Sequence, residues 1–427
     1  MRRGSAHSSG TTLSCDGRFF FDVVMALSLL FTASTAFGDS TRPRLLSHFL
    51  ESHRLLGDPA GLRSELERLG IDSQLFYTQY ASGKPSGMGA DSDGTLGSNG
   101  SYDSITRIDF EKLAGWPQAD MLFHARGLYD DSVNDDVGAL SDPVDDADFD
   151  QAIYVDELWL QQGLFDRRLR LRLGFMEQQT IFDLNAYANA EDRQFLTTFL
   201  DNNGILPLPN GLGATLFALP LPWLEFAAGI ADADNRPRNS GFSSFFDGVD
   251  SLNVYLELRL QGPWEERGLP GAYRIGLFRD GRRLIDFDSQ EEERGHLGVY
   301  LNLDQHVWGD VEGGGPRVGV FARAGWADPD VNRIEWFWSA GFEVAGGIPG
   351  RGRDRLGFGT YQTIASDPYQ DEVDGRFDQE MGFELYYAIQ ALGWLVITPD
   401  LQYILDPGAT GENDDAFVGT LRARVTF

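Results

Sequence analysis

Residues 251–262 read SLNVYLELRLQG, and apolar side chains occupy every second position from Leu252 to Leu260. The positions between them carry polar or amphipathic side chains, including Glu257 and Arg259. Successive side chains of a β-strand point to opposite faces of a sheet, so this period of two predicts a strand with one apolar and one polar face. A soluble sheet with one face in water would show the same alternation.

The same strand character recurs along most of the chain. We assign sixteen segments: 72–83, 103–114, 119–129, 152–162, 168–177, 213–220, 222–233, 251–262, 271–281, 297–308, 317–328, 334–346, 354–365, 378–391, 394–405 and 417–427. Their lengths are close to the roughly 9 to 11 residues of a tilted membrane strand, and bacterial barrels have an even number of strands. The predicted fold is all-β, a sixteen-stranded antiparallel transmembrane β-barrel, although fourteen or eighteen strands would also fit the pattern.

The connections between these segments alternate between long and short, and the longest, 178–212, holds 35 residues. The connection 329–333 breaks the rule because it is short where a long one is expected. Outer-membrane barrels have long extracellular loops and short periplasmic turns. We therefore expect both ends of the barrel sequence on the periplasmic side.

The positions of the tryptophans favour a membrane barrel over a soluble sheet. Five of them fall at segment ends: Trp116, Trp223, Trp308, Trp326 and Trp394. Aromatic girdles at the two membrane interfaces are typical of outer-membrane barrels. Phe427 also ends the chain on an apolar strand-like stretch, which resembles the C-terminal signal read by the outer-membrane assembly machinery.

The N-terminal region precedes the barrel. Residues 1–38 are predicted to be a secretory signal, with arginines ahead of the apolar run 19–31 and cleavage near Asp39. Residues 39–71 form a periplasmic segment with one short helix, for which Asp58 is the predicted N-cap and Gly70 the end. The barrel itself spans 72–427.

Composition restricts the chemistry. Cys15 is the single cysteine and would leave with the signal, so the mature chain has no disulfide, thiolate metal site or cysteine nucleophile. No Ser-His-acid order or phosphate-cradling glycine loop stands out. We predict no catalytic residues, no cofactor and no metal site; an enzymatic barrel such as a lipase is the minority alternative.

The polar faces of the strands predict a charged lumen, as in RLRLRL at 168–173. The candidates for the lining of the solute pathway are Arg107, Asp109, His124, Arg126, Arg168, Arg170, Arg172, Glu191, Asp192, Arg193, Glu257, Arg259, Arg323, Glu384, Tyr386, Arg422 and Arg424. Arginine and carboxylate groups beside aromatic rings suit sugar hydroxyls. Any one of them can instead simply solvate the wall and pair with a neighbour.

Two long connections carry further predictions. In 178–212, Asn189 can cap a short helix whose residues Phe195, Leu196, Phe199 and Leu200 share a face, and only the inner barrel wall can cover that face. We therefore predict a long inward-folding loop that narrows the channel. The acidic second loop is expected to be solvated, lipopolysaccharide-bridging or disordered; its acids are Asp130, Asp131, Asp135, Asp136, Asp145, Asp146 and Asp148.

Four strings resemble the carbohydrate-selective porin family, also called the OprB family. They are LLGDPAGLRSELERLGI at 55–71, LAGWPQADMLFH at 113–124, RLGFMEQQTIFDLNAYANAEDRQFLTTFLDN at 172–202 and TPDLQYILDPG at 398–408. The resemblance implies a sixteen-stranded barrel in the bacterial outer membrane, passive diffusion of sugars past inward loops, no cofactor and no catalysis. Pro59 departs from the aromatic residue often found after the family's Gly-Asp.

The expected partners are outer-membrane lipid and lipopolysaccharide, with small sugars as solutes and no nucleic acid. A monomer and a trimer are both open. The alternative function is a general or cation-preferring porin, because the formal charge is −30 and a negative lumen favours cations.

Overall fold

A computed structural model describes residues 52–146, 149–207, 209–233, 251–262, 268–310, 315–373 and 376–427. The predicted signal, 1–38, and the first part of the predicted periplasmic segment, up to residue 51, lie outside the described residues, as does Asp148.

Sixteen strands form one closed antiparallel barrel in sequence order. They are β1 Ile71–Lys84, β2 Thr95–Asp109, β3 Ala119–Tyr129, β4 Gln151–Leu164, β5 Leu169–Glu177, β6 Asn210–Leu221, β7 Leu224–Asp232, β8 Leu252–Gln261, β9 Gly271–Ile285, β10 Glu292–Trp308, β11 Arg317–Ala327, β12 Ile334–Ala345, β13 Arg355–Ala365, β14 Met381–Leu392, β15 Leu395–Leu405 and β16 Ala416–Thr426. β1 pairs with β16, with Phe76 opposite Thr426 and Gly83 opposite Gly419. The predicted strand number and closure are confirmed.

Short helices lie between or before the strands. They are α1 Leu62–Arg68, α2 Phe110–Ala114, α3 Asn134–Val137, α4 Thr198–Asp201 and α5 Asp367–Glu372. The predicted N-terminal helix is present but shorter, because a 3-10 turn, Pro59–Gly61, precedes α1. The Asp58 carboxylate accepts a hydrogen bond from the backbone N–H of Arg63 at 2.9 Å. In the described part of the chain, no helix combines the length and the apolar character needed to cross a membrane.

Several predicted boundaries were wrong. The second segment was expected to run as a strand through 103–114, but 110–114 is α2. The Asp109 carboxylate accepts from the N–H groups of Glu111 and Lys112 at 3.0 and 3.2 Å, and this cap starts a helix where the apolar pattern continued. β2, β9 and β10 also extend further than predicted, so the connections 85–94 and 286–291 are short and the length alternation is weaker than expected.

The outer and inner faces of the barrel differ as the alternation predicts. Large apolar side chains are exposed on the outer face of most strands: Leu171, Leu173, Leu216, Ile230, Leu256, Leu277, Leu301, Leu385, Leu401 and Leu421. Trp116, Trp223 and Trp308 are exposed at the turn end, the end of the barrel at which β2, β6 and β10 finish. Trp394 is only 5% exposed, so this member of the predicted girdle does not reach the lipid.

Inward-facing aromatic rings cover half of the inner wall, one from each of seven consecutive strands, β8 to β14. They are Tyr255, Phe278, Tyr300, Phe321, Phe337, Tyr361 and Tyr386, and all are buried. Glycines on adjacent strands make room for several rings. A Cβ on Gly276 would lie 2.0 Å from the ring of Tyr300, and one on Gly357 would lie 2.1 Å from the ring of Tyr386.

Candidate functional site

Loop 3, the connection 178–209, folds into the barrel and covers the aromatic half of its wall. The Phe195 ring meets Phe321 and Tyr386 edge-on at 5.4 and 5.0 Å, and Phe199 meets Phe337 and Tyr361 at 5.5 Å each. All four apolar residues predicted to face the wall are buried. The inward fold therefore agrees with the sequence, and the open part of the lumen lies on the opposite side.

The predicted helix of loop 3 is not continuous. A single turn near Ala190 and the separate α4 flank a non-helical stretch at Phe195 and Leu196. The Glu384 carboxylate, on β14, accepts from the N–H groups of Leu196 and Thr197 at 2.6 and 3.0 Å. Those N–H groups are thus unavailable for helical hydrogen bonds, which explains the break.

Charged side chains of the wall hold the backbone of loop 3. Arg323 donates to the carbonyl of Leu200 at 2.8 Å and to that of Ala188, and Arg422 donates to the carbonyl of Gln194 at 3.0 Å. Glu257 accepts from the N–H of Asp183 at 2.8 Å.

Five predicted lining residues are therefore covered by the loop or packed under it: Glu257, Arg323, Glu384, Tyr386 and Arg422. They point inward, as predicted, but each is at most 3% exposed, so they anchor the loop instead of facing water in the channel. The sequence could not distinguish a residue that anchors loop 3 from one that lines the water-filled channel, because either role requires a polar group on the inner face.

In the described residues of loop 2, the connection 130–150, the structure differs from the solvated or disordered loop that the acids predicted, whereas the lipopolysaccharide-bridging alternative stays a prediction. Val133, Val137 and Val144 are fully buried. The Glu380 carboxylate accepts from the N–H groups of Leu140 and Ser141 at 2.6 and 3.1 Å. Loop 2 therefore packs inside the barrel, although two of its acids, Asp131 and Asp135, are exposed as expected.

Two acids of loop 2 make contacts inside the barrel. Asp146 accepts from the hydroxyls of Tyr80 and Ser101 at 2.9 and 2.8 Å and pairs with Arg126. Asp145 accepts from Thr198 Oγ1 at 2.9 Å, which joins loop 2 to loop 3. The two loops thus form one inward plug.

A cavity of about 220 Å³ remains between loop 3 and the wall formed by β1, β2, β3 and β16. Its charged lining consists of Asp103, His124, Arg126, Asp146, Glu177, Glu191, Asp192, Arg193, Asp201 and Arg424. Arg424 places its guanidinium carbon 3.9 Å from the ring centroid of Phe76 and Nη2 2.7 Å from Oδ2 of Asp192. Arg126 Nη2 lies 2.8 Å from Oε1 of Glu191.

His124 is held between two carboxylates in this wall. Its Nε2 lies 2.8 Å from Oδ1 of Asp103 and its Nδ1 lies 3.1 Å from Oδ2 of Asp156. His124, Arg126 and Arg424 line the same cavity as the acids of loop 3. Six predicted residues therefore meet here: His124, Arg126, Glu191, Asp192, Arg193 and Arg424.

A second group of predicted residues follows β5 and its neighbours. The guanidinium carbon of Arg172 lies 3.9 Å from the ring centroid of Trp159, and that of Arg170 lies 4.6 Å from the ring of Phe217. Arg259 pairs with Glu225 at 3.1 Å. Arg168 does not join them, because β5 begins at Leu169 and Arg168 lies exposed in the turn before it.

Arg107 and Asp109 line a wider cavity of about 590 Å³ at the turn end. Its other charged residues include Arg54, Glu67, Lys112 and Asp120. These two candidates therefore lie at the mouth of the lumen, away from the narrow cavity beside loop 3.

The sequence missed several members of the narrow cavity. Phe76 follows the same alternation as Thr78 and Tyr80 in β1 and could have been assigned from that pattern. Asp146 could not, because its position depends on how loop 2 packs inside the barrel.

A closed barrel with an apolar outer belt, a charged interior and inward loops that leave a polar cavity defines the chain as an outer-membrane porin. Residues 95–427 match the carbohydrate-selective porin family, OprB, and the chain belongs to that family. Its place is the bacterial outer membrane, as predicted.

Similarity to known porins covers most of the chain. Porin B of Pseudomonas aeruginosa is 24% identical over 420 residues, covering 87% of this chain and 91% of its own length. Putative porin QuiX of Acinetobacter baylyi is 22% identical, covering 87% of this chain and 93% of its own length. The high-pH structure of Pseudomonas putida OprB covers 89% of this chain and 100% of its own, with a TM-score of 0.80 and 21% identity. That structural likeness concerns the fold.

Proposed function

We propose that the chain lets small sugars diffuse passively through the polar passage between loop 3 and β1, β2, β3 and β16. The observation that carries the proposal is the arrangement of Arg424 between Phe76 and Asp192 in this passage. A guanidinium donates hydrogen bonds to sugar hydroxyls, a carboxylate accepts them, and an aromatic ring packs on the apolar face of a sugar. The family description and the name of Porin B support this assignment.

The passage requires no catalysis and no cofactor. Its charged groups are paired with one another, as Arg126 is with Glu191. A solute can exchange hydrogen bonds with such pairs and leave again, because no single contact is strong enough to retain it. We assign no enzymatic role to the chain.

Cation preference is a second candidate, favoured by the charge of the narrow cavity. Acidic side chains outnumber basic ones in its lining: Asp103, Asp146, Glu177, Glu191, Asp192 and Asp201 against His124, Arg126, Arg193 and Arg424. An excess of carboxylates along a pore attracts cations and repels anions.

Purified protein in planar bilayers and in liposomes separates the two candidates. If sugars are the solutes, glucose or maltose will reduce the ion current, and liposomes will swell faster in sugars than in amino acids of similar size. Arg424→Ala should weaken the block by sugar, whereas Arg168→Ala, a matched arginine in an exposed turn, should behave as the parent. A conductance that sugar does not change, together with strong cation selectivity, would replace the first proposal with the second.

Two proposals concern the surroundings of the barrel. The exposed apolar belt is in contact with membrane lipid, and the exposed acids of loop 2, such as Asp131 and Asp135, lie where lipopolysaccharide would meet the extracellular loops. Residues 1–38 are removed on export, and N-terminal sequencing of the mature protein tests the predicted cleavage near Asp39.

A further inference from the structure

Three carboxylates from the two inward loops converge beside the narrow cavity. Asp145 belongs to loop 2, and Glu191 and Asp201 belong to loop 3. One oxygen of each lies within 4.8 Å of the others. Oxygens on opposite sides of one Ca²⁺ are about 4.6 to 5.2 Å apart, twice the metal–oxygen distance, so the three oxygens are close enough to share one ion.

Asp201 carries a second and independent indication of a missing ligand. The residue is 1% exposed, and Oδ2 accepts a hydrogen bond from Gln179 Nε2 at 2.8 Å. Among the described residues, Oδ1 is buried and has no hydrogen-bond partner. A buried carboxylate oxygen that has no hydrogen-bond partner has lost its hydration without gaining a compensating contact. Such an atom is uncommon in folded proteins and requires an explanation.

The arginines near the cluster are engaged mainly with other groups. Glu191 pairs with Arg126, but Arg126 also pairs with Asp146 and lies 3.5 Å from Asp103. Among the other guanidiniums nearby, Arg424 and Arg193 pair with Asp192, Arg323 pairs with Asp183, and Arg422 donates to the carbonyl of Glu191. In the described part of the chain, none of them forms a salt bridge with Asp201.

The pKa of Asp201 reflects the same crowding. Burial, and then the neighbouring Glu191 charge, raise this pKa to about 8. Asp201 lies in loop 3, outside the spanning strands, and a cation at the cluster would favour its ionised form.

We propose that Asp145, Glu191 and Asp201 bind one divalent cation with the ligand preferences of Ca²⁺, and that this ion ties loop 2 to loop 3. Hard divalent cations take carboxylate oxygens, and Ca²⁺ accepts six to eight ligands in flexible geometry. The two oxygens of Asp145 accept hydrogen bonds from Thr198 and Asn202, so this carboxylate of loop 2 faces loop 3. Water in the adjoining cavity, which Glu191 and Asp201 line, completes the coordination.

The proposed cation site differs from the sequence-based prediction, which was that the chain has no metal site. Asp145 and Asp201 are 56 residues apart, and neither the spacing nor the composition of the segments around them follows a calcium-loop pattern. Only the packing of loop 2 on loop 3 brings the carboxylates together. The inference does not depend on which solute the channel passes.

Calorimetry on the whole detergent-solubilised porin tests the proposal after treatment with a chelator and removal of the chelator. Wild-type protein should bind CaCl₂ with one saturable site, and Mg²⁺ more weakly, because Mg²⁺ demands shorter distances and stricter geometry. Asp201→Asn and Asp145→Asn should each weaken Ca²⁺ binding by about tenfold or more. Asp135→Asn, which removes an exposed acid from the same loop, should bind as the wild type does.

Hydrogen exchange supplies a readout besides affinity. Ca²⁺ should slow exchange at backbone amides of loops 2 and 3 in the wild type and in Asp135→Asn, and in neither of the two ligand variants. Heat-modifiable migration on gels verifies that each variant forms a barrel. The proposal is wrong if folded wild-type protein shows no saturable Ca²⁺ binding, or if folded Asp201→Asn and Asp145→Asn bind as tightly as wild type.

Discussion

Arg323 on β11 and Asp183 in loop 3 form a salt bridge inside the barrel, with Nε 2.8 Å from Oδ2 and both side chains almost fully buried. Removal of one partner from a buried pair leaves an uncompensated charge and costs about 3–5 kcal/mol. The salt bridge therefore stabilises the position of loop 3 against the barrel wall.

The first prediction follows from this pair. Arg323→Met should release loop 3, because Asp183 loses its partner and two loop carbonyls lose their donor. Single-channel recordings should show larger and noisier currents, and unfolding in urea should begin at lower concentration. Arg168→Met is the control. Currents like those of the parent would mean that the aromatic contacts alone hold the loop.

Glu380 supports a prediction for loop 2. Its carboxylate accepts from the N–H groups of Leu140, Ser141 and Gly408 and from the hydroxyl of Tyr361, at 2.6, 3.1, 2.8 and 2.9 Å. Glu380→Gln replaces one acceptor oxygen with an NH₂ group, and each buried donor left unsatisfied costs about 1–3 kcal/mol. Amide exchange at Leu140 and Ser141 should accelerate.

Glu412→Gln is the matched control because Glu412 is exposed in the connection before β16. It should leave exchange in loop 2 unchanged. Equal exchange at Leu140 in both variants would show that Glu380 does not hold the loop.

Arg170 and Arg172 should influence which ions pass. Both face the lumen, where Arg172 stacks on Trp159 and Arg170 on Phe217. Replacing both by alanine removes two positive charges from the wall, so the reversal potential in a KCl gradient should shift toward greater cation selectivity. Arg168→Ala should give the parental value. If the double variant matches the parent, these arginines lie outside the conducting path.

The stability of metal-free protein should depend on pH through Asp201. Its pKa of about 8 in the folded chain lies above the value of about 3.9 in an unfolded chain. Between these values the folded state retains a proton that the unfolded state has lost, so stability falls as pH rises toward 8. The groups that face Asp201 are Asp145, Gln179, Glu191, Asp192 and Arg323.

Urea unfolding in EDTA at pH 6 and pH 9 measures this effect. Wild-type protein should unfold at lower urea concentration at pH 9, and Asp201→Asn should show a smaller difference because its side chain does not titrate. An equal pH dependence in the two proteins would assign the effect to other groups.

Part of the candidate site was predictable because it follows strand geometry. The alternation in β5 and β8 placed Arg170, Arg172, Glu257 and Arg259 on the inner face, and the structure has them there. The apolar residues of loop 3 predicted its inward fold because no other surface could cover them. The predicted helix within that loop was wrong, because its backbone N–H groups bind Glu384, which lies on a strand far away in the sequence.

The sequence alone determined the barrel, its polar lumen and the direction in which loop 3 folds, because strand period and apolar coverage are properties of neighbouring residues. Tertiary structure alone decided which inward charges face water and which are buried under the loop, as for Arg424 and Arg323. It also decided that Asp145 meets Glu191 and Asp201. The reason is that the environment of a charge within a barrel depends on contacts between segments that are far apart in the sequence. A local sequence pattern does not predict such contacts.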